Sequence, residues 1–112
     1  MANNSLALLK GTLDLLILKT VSVEPLHGYE IAKWVKRASA EAFDIEYGAL
    51  YQALFRLEEK SWLAAEWRIS PTGREVRFYE LTSEGRRQLE QQSETWDRYV
   101  EAMYLVLKTA EA

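Results

Sequence analysis

Two side chains that can bind DNA bases lie four positions apart near the middle of the sequence. Gln52 and Arg56 fall on the polar face of the amphipathic segment 47–60, opposite leucines at i, i+4 and i+7. A glutamine can form two hydrogen bonds with adenine, and an arginine can form two with guanine. The spacing predicts a helix that packs through one face and presents the other to base edges in a major groove.

Groups that suit the phosphate backbone surround these two positions. A tyrosine hydroxyl can donate to a phosphate, a lysine supplies charge, and the free amides at a helix start favour an anion. The candidate phosphate contacts are the side chains of Lys33, Lys36, Tyr47 and Tyr51 and the amides of Gly48 and Ala49.

Two alternating segments, 62–69 and 75–81, follow the helix and predict a pair of strands. The sequence SPTGR between them is typical of a turn. Arg74 and Arg77 lie in this hairpin, and a narrow minor groove attracts arginine. A helix followed by such a hairpin is the layout of a winged helix, whose helix enters the major groove.

The same charges also have an interpretation that involves no DNA. Cations can pair with neighbouring carboxylates on a solvated helix face or across a hairpin. The candidate pairs are Arg56 or Lys60 with Glu59, and Arg68 and Arg77 with Glu66 and Glu75. The residues alone leave both interpretations open.

Apolar periodicity predicts three further helices, at residues 6–22, 28–39 and 84–110. Thr82 and Ser83 are N-cap candidates for the last of them. The expected fold is therefore mainly α with a small β-hairpin wing. We expect a winged helix-turn-helix DNA-binding domain at 1–83 and a C-terminal dimerisation helix at 84–112.

The last predicted helix carries a seam of apolar residues at steps of 7, 4, 3, 4 and 3. Such a heptad pattern calls for a second helix. We therefore expect a homodimer, with packing against the chain's own domain as the alternative. The seam comprises Leu89, Trp96, Val100, Met103, Leu107 and Ala110.

Composition narrows the class of protein. With 112 residues, 48% of them hydrophobic, the chain suits one packed domain and an added helix. It has no cysteine, which excludes disulfides and thiolate chemistry and fits a reducing cytoplasm. The net charge of −3 resides entirely in residues 80–112, so residues 1–79, which hold the candidate DNA contacts, are neutral. No secretory signal is expected at the N-terminus, and no membrane span.

Several separated motifs resemble those of PadR-like transcriptional regulators, from about residue 8 to residue 107. They are GTLDLLIL at 11–18, PLHGY at 25–29, LY at 50–51, RLE at 56–58 and RFYELTSEG at 77–85. The length is similar to that of the short subfamily, which has a single C-terminal dimerisation helix. The resemblance implies a winged-helix dimer that represses transcription. One base-contacting helix per chain, together with the heptad seam, predicts binding to the two half-sites of an inverted-repeat operator, about 34–36 Å apart. The resemblance adds Tyr29 to the candidate backbone contacts.

Three positions depart from the family pattern. Gln52 stands where many relatives have proline, which bears on the DNA sequence that is bound. Ser61 and Glu24 stand where glycine is common. Ser61 would cost up to about 1 kcal/mol if its backbone is left-handed.

The resemblance also suggests release by a small aromatic ligand. Multidrug-binding relatives carry a tryptophan at a similar place, and two such rings sandwich flat ligands. The alternative is that Trp96 only anchors the dimer, since aromatic residues favour interfaces. The candidate ligand-binding residues are Leu9, Leu13, Ile17, Trp96, Tyr99, Val100 and Met103.

Catalysis is not expected. His27 is the only histidine, and the sequence contains no phosphate-binding glycine loop, nucleophile elbow or HExxH motif. We expect His27 to be structural, as a cap of the second helix, and we expect no metal or cofactor. The rival hypothesis is a winged-helix protein-interaction module that does not bind DNA.

Overall fold

A computed structural model describes residues 6–9 and 11–110 of the chain. This part contains four helices and a small antiparallel sheet, which confirms the predicted mainly α winged-helix fold with its long C-terminal helix. The elements are α1 (Thr12–Val23), β1 (Leu26–His27), α2 (Gly28–Ala38), α3 (Tyr47–Glu59), β2 (Leu63–Ile69), β3 (Glu75–Leu81) and α4 (Ser83–Leu107). The expectation of no signal peptide concerns residues outside those described.

The core lies where the first three helices meet the base of the sheet. Its fully buried side chains include Ile17, Leu18, Ile31, Leu50, Leu54, Leu57 and, at the start of β2, Leu63. The leucine stripe predicted for α3 is therefore confirmed, and Ala53 completes it. On α2 the inward residues are Ile31, Ala32 and Val35, whereas Ala38 is exposed because it lies at the last turn, beyond the core.

The first helix is shorter than predicted, because it starts at Thr12 and not at residue 6. Gly11 has a φ of 86°, a left-handed conformation that separates the helix from the residues before it. The Leu6 amide donates to the Ala42 carbonyl at 2.7 Å, so this segment bonds to the loop after α2. Lys10, within the predicted helix, lies outside the described residues.

The sheet has the order β1–β3–β2, and β1 was not predicted. It contains only two residues, too few to show a periodic pattern, and it pairs His27 with Phe78 of β3. In the hairpin, Ala65 is opposite Tyr79 and Trp67 is opposite Arg77. Buried Tyr79 shows that this side of the hairpin is continuous with the core.

Side-chain caps and special backbone conformations fix the junctions between the helices and strands. His27 caps α2, as predicted, since its Nδ1 accepts from the Glu30 amide at 3.4 Å. Thr82 caps α4 by accepting from the Gly85 amide at 2.9 Å. Ser61 has a φ of 63°, so the left-handed conformation considered from the sequence is present. A Cβ at Gly85 would collide with the Trp62 carbonyl, so α4 can start this close to β2 only with glycine there.

Candidate nucleic-acid interface

One side of α3 faces away from the core along its whole length. Gly48, Gln52, Phe55 and Glu59 are spaced at i, i+4, i+7 and i+11, and all are exposed. We call these four residues the outward ridge. The Phe55 side chain is 62% exposed although it is large and apolar. A helix with one buried stripe and one free ridge is the element that can enter a major groove.

Three tyrosines cluster on one flank of this ridge. The Tyr29 and Tyr47 ring centroids are 6.0 Å apart, and each ring is about half exposed. Tyr51 lies against the α2 start, where a Cβ at Gly28 would be 2.7 Å from its hydroxyl oxygen. Partial desolvation, reinforced by the neighbouring tyrosines, raises the pKa of Tyr47. A phosphate contact requires the protonated hydroxyl, and this shift favours that form.

The two candidate lysines lie on α2 and in exposed ion pairs. Lys33 is 3.9 Å from Glu30 and also lies 5.2 Å above the Tyr29 ring. Lys36 is 3.7 Å from Asp44. Exposed pairs at such distances contribute little to stability. A phosphate can therefore replace either carboxylate at small cost.

The start of α3 has amides free for an anion. Its N-cap, Glu46, provides no side-chain cap, and Leu50 is the first residue of the helix whose amide bonds back to the Glu46 carbonyl. The amides of Gly48 and Ala49 have no acceptor among the described residues. Unsatisfied amides at a helix start point along the axis and favour a phosphate.

Arg56 lies on the other flank of the ridge and bonds to a different helix. Its guanidinium is 2.9 Å from the Asp14 carboxylate on α1, and the Asp14 side chain is only 16% exposed. The pair with Glu59 considered from the sequence is therefore not the one formed. The α1 contact directs Arg56 toward its own domain and away from the outward ridge.

The arginines of the wing do not form the cross-strand ion pairs that were considered from the sequence. Arg77 bonds to Glu58 of α3 at 2.5 Å and lies 5.5 Å from the Trp67 ring. Arg68 bonds to Glu66 of its own strand, since the strand register places neither glutamate opposite an arginine. Arg74 is exposed at the end of the turn and makes no ion pair with any described residue. It is the wing cation that is available to a partner.

Three exposed residues on this surface were not predicted from the sequence. Phe55 and Glu59 lie on the outward ridge, and Trp67 is 61% exposed on the wing. The aromatic residues were overlooked because an apolar side chain within an amphipathic segment is usually assigned to the core. Extending the i+3 and i+4 steps from Gln52 would have found Phe55 and Glu59.

Two cavities lie beside Trp96 of α4. One, of about 370 Å³, is lined by Leu9, Gly11, Thr12, Leu15, Gln92, Thr95, Trp96 and Tyr99. The second, of about 570 Å³, extends along α1 past Leu16 to Phe43. The Trp96 and Tyr99 rings are stacked with centroids 5.9 Å apart. Both cavities are open to solvent in the single chain.

The structure brings together only part of the predicted ligand-binding set. Leu9, Trp96 and Tyr99 line the cavities. Leu13, Val100 and Met103 are not among the lining residues, and Ile17 is fully buried in the core, on the other side of α1. Thr12, Leu15 and Leu16 take their place, because they share the face of α1 that lines the cavities, whereas Leu13 and Ile17 lie on another face.

The second half of α4 has little cover from its own chain. It ends at Leu107, so Ala110 of the predicted seam lies beyond the helix. Met103 is 44% exposed and Leu107 is 69% exposed, with further exposed apolar side chains at Tyr104, Leu105 and Val106. A stretch this apolar rarely stays in contact with water along a whole helix.

The described residues provide no other obvious type of site. Among them, no group of three or more His, Asp or Glu side chains is arranged to hold a metal ion. None of their helices combines the length and the apolar character that crossing a bilayer requires.

Comparison with known proteins places this architecture in a family. The model of the transcriptional regulator PadR-like family matches residues 17–91. A PadR family transcriptional regulator from Eggerthella lenta is 30% identical, with 90% of this chain and 86% of that one covered and a TM-score of 0.76. A PadR family transcription regulator from Clostridium difficile is 29% identical, with 88% and 100% covered and a TM-score of 0.72. An uncharacterised Lysinibacillus sphaericus protein is 27% identical over 93% of this chain and 95% of its own length.

Proposed function

The chain belongs to the PadR-like family of transcriptional regulators, and from this membership we propose that it binds operator DNA through α3 and the β2–β3 wing. The observation that carries the proposal is the outward ridge of α3. Its side chains make no hydrogen bond or ion pair with other described residues, whereas both flanks are held by the rest of the chain. A free ridge between fixed flanks is suited to a groove.

In the proposed complex, backbone contacts orient the helix. The tyrosine cluster, the free amides of Gly48 and Ala49, and Lys33 and Lys36 lie at one end and flank of α3 and contact phosphates. Arg74 enters the neighbouring minor groove from the wing. Gln52 contacts base edges. Arg56 and Arg77 lie next to the groove, where each is already bonded to a carboxylate of the chain.

We further propose that the protein acts as a homodimer through the exposed apolar side of α4. Two helices paired along this side would bury Met103 and Leu107 together with the Trp96 region. Each protomer would then place one α3 in one half of an inverted repeat. Two-fold symmetric helix-turn-helix dimers bind half-sites about 34–36 Å apart.

Regulation by a small aromatic ligand is the second part of the proposal. The larger cavity beside Trp96, about 570 Å³ in volume, falls within the range of small-molecule sites. In the proposed dimer, α4 of the partner would close it. Operator binding would repress transcription in the cytoplasm, and the ligand would release it. Glu94, Asp97 and Glu101 nearby would favour a cationic ligand.

One observation favours a different function. Four of the five candidate DNA-binding cations are paired with carboxylates of the same chain, and this weakens the attraction to DNA. A winged-helix protein-interaction module would have such a neutral surface. Arg74 forms no ion pair with a described residue, and only DNA binding through the wing requires its charge.

The test compares Arg74→Ala with Arg98→Ala, a matched removal of an exposed arginine on α4. DNA binding through the wing predicts that Arg74→Ala weakens binding to a duplex selected from a random library about tenfold, while Arg98→Ala leaves it unchanged. Failure of the library to yield any enriched duplex would favour the protein-interaction module, whereas equal affinity of both variants for an enriched duplex would exclude Arg74 from the interface.

A further inference from the structure

The outward ridge differs from its flanks in forming no hydrogen bond, ion pair or ring contact with the described residues, although Phe55 and Glu59 border a cleft that Arg77 and Tyr79 also line. Tyr47, Tyr51 and Glu58 on one flank contact Tyr29, Gly28 and Arg77, respectively. On the other flank, Arg56 is held by Asp14. None of the Gln52, Phe55 and Glu59 side chains forms a hydrogen bond, an ion pair or a ring contact with a described residue.

The ridge also contains no cation, although it lies where the proposed function requires base contacts. Arginine and lysine are the usual partners of guanine. Arg56, the nearest guanidinium on α3, is bonded to Asp14, beside the ridge and not on it. The central residues of the ridge are instead an amide, an aromatic ring and a carboxylate.

Each of these three groups has a different complement among the base edges of the major groove. An amide pairs with adenine, a carboxylate accepts from the amino group of cytosine, and an apolar side chain contacts the methyl group of thymine. Gln52 and Glu59 are separated by about 10 Å along the helix axis, at about 1.5 Å per residue. This length is comparable to the rise of about three base pairs, at about 3.4 Å each.

We propose that the outward ridge determines the operator sequence, with Gln52 on adenine, Glu59 on cytosine and, at its centre, Phe55 on a thymine methyl group. This inference rests on the proposed function. It assigns no base to Arg56. Phe55 is a specificity-determining residue, and its 62% exposed side chain is available to contact a base.

The thymine contact can be tested by removing a single methyl group from the DNA. A duplex is first selected by the full-length protein from a randomised library. Each thymine is then replaced in turn by deoxyuridine, which keeps the hydrogen-bonding groups and lacks only the methyl. Loss of one buried methyl is expected to weaken binding about fourfold at one position per half-site.

The same replacement is then measured with Phe55→Ala and with Val23→Ala, an equivalent truncation of an exposed apolar residue at the end of α1. Phe55→Ala should fold, because the Phe55 side chain is exposed. The affinity of this variant for DNA should not change when the methyl group is removed. Val23→Ala should lose about as much affinity on removal of the methyl group as the unchanged protein does. In addition, selection with Glu59→Gln should change one cytosine of the preferred site to adenine.

The outcomes separate this inference from the function on which it rests. Failure of the library to yield any enriched duplex would overturn the proposed function. An enriched duplex that tolerates deoxyuridine at every thymine would overturn the assignment of Phe55. The assignment would equally fail if Phe55→Ala kept the full fourfold sensitivity of the unchanged protein.

Discussion

The Arg56 guanidinium on α3 lies 2.9 Å from the Asp14 carboxylate on α1, across 42 residues of sequence. This pair joins the helix proposed to contact bases to the helix that lines the cavities beside Trp96. Asp14 is largely buried, so its charge relies on Arg56 in place of water. The pair therefore connects α1 directly to one flank of α3.

Asp14→Asn should lower the free energy of unfolding by about 1 kcal/mol, because it leaves Arg56 without its partner. The measurement is urea denaturation of Asp14→Asn, Arg56→Gln and the double variant. A coupling energy of about 0.5–1 kcal/mol is expected from this cycle. Glu66→Gln, which removes an exposed pair within β2, is the control and should change stability by less than about 0.5 kcal/mol. Additive effects of the first two variants would contradict the account.

Glu58→Gln should increase affinity for random-sequence DNA, because it releases Arg77 for a phosphate. The magnitude of the slope of log affinity against log salt should rise by about one. The measurement is fluorescence anisotropy with a labelled random duplex over a salt series. Glu84→Gln, which removes a carboxylate bonded to Arg87 on α4, is the matched control and should leave the slope unchanged. An unchanged slope in Glu58→Gln would exclude Arg77 from the interface.

Tyr47→Phe should weaken binding to all DNA sequences by about tenfold, since it removes a hydrogen bond to a charged phosphate. The ring and its contact with Tyr29 are retained, so stability should not change. Because the pKa of Tyr47 is raised, its hydroxyl stays protonated through the neutral range, and the loss should not vary with pH there. A change of sequence preference in place of a uniform loss would show that Tyr47 contacts a base.

Replacing both Met103 and Leu107 by glutamate should convert the protein to a monomer. Charges at these exposed apolar positions would repel each other across the proposed α4 pair, while the winged-helix core would be untouched. Sedimentation equilibrium measures the mass, and circular dichroism checks the fold. Glu94→Gln is the control on the same helix. A monomeric mass for the unchanged protein at micromolar concentration would contradict the dimer directly.

Trp96 fluorescence should respond to planar aromatic compounds if the cavities bind them. Trp34, Trp62 and Trp67 would be replaced by phenylalanine, so that Trp96 is the only source of the signal. Saturable quenching that disappears in a Leu15→Glu variant, which places a charge in the cavity wall, is the expected result. Lack of response to a broad panel of such compounds would leave Trp96 with the role of an interface anchor.

The helices that pack through leucine stripes were accessible from sequence, since Leu50, Leu54 and Leu57 show their period directly. The start of α1 could not be predicted, because Leu6 and Leu9 continue the apolar pattern on the far side of Gly11, whose backbone is left-handed. The partners of Arg56 and Arg77 were also missed. Asp14 and Glu58 approach them only after the helices and the hairpin have packed, and no local spacing encodes that contact.

The most direct test of the central claim is the binding of purified protein to DNA upstream of its own gene, measured with random competitor at two salt concentrations. The account predicts saturable, competitor-resistant binding of two protomers per site, with an affinity that falls as salt rises. It also predicts that Gln52→Ala abolishes the preference over random DNA. Binding to this and to every selected duplex no tighter than to random DNA would contradict the claim that α3 contacts an operator.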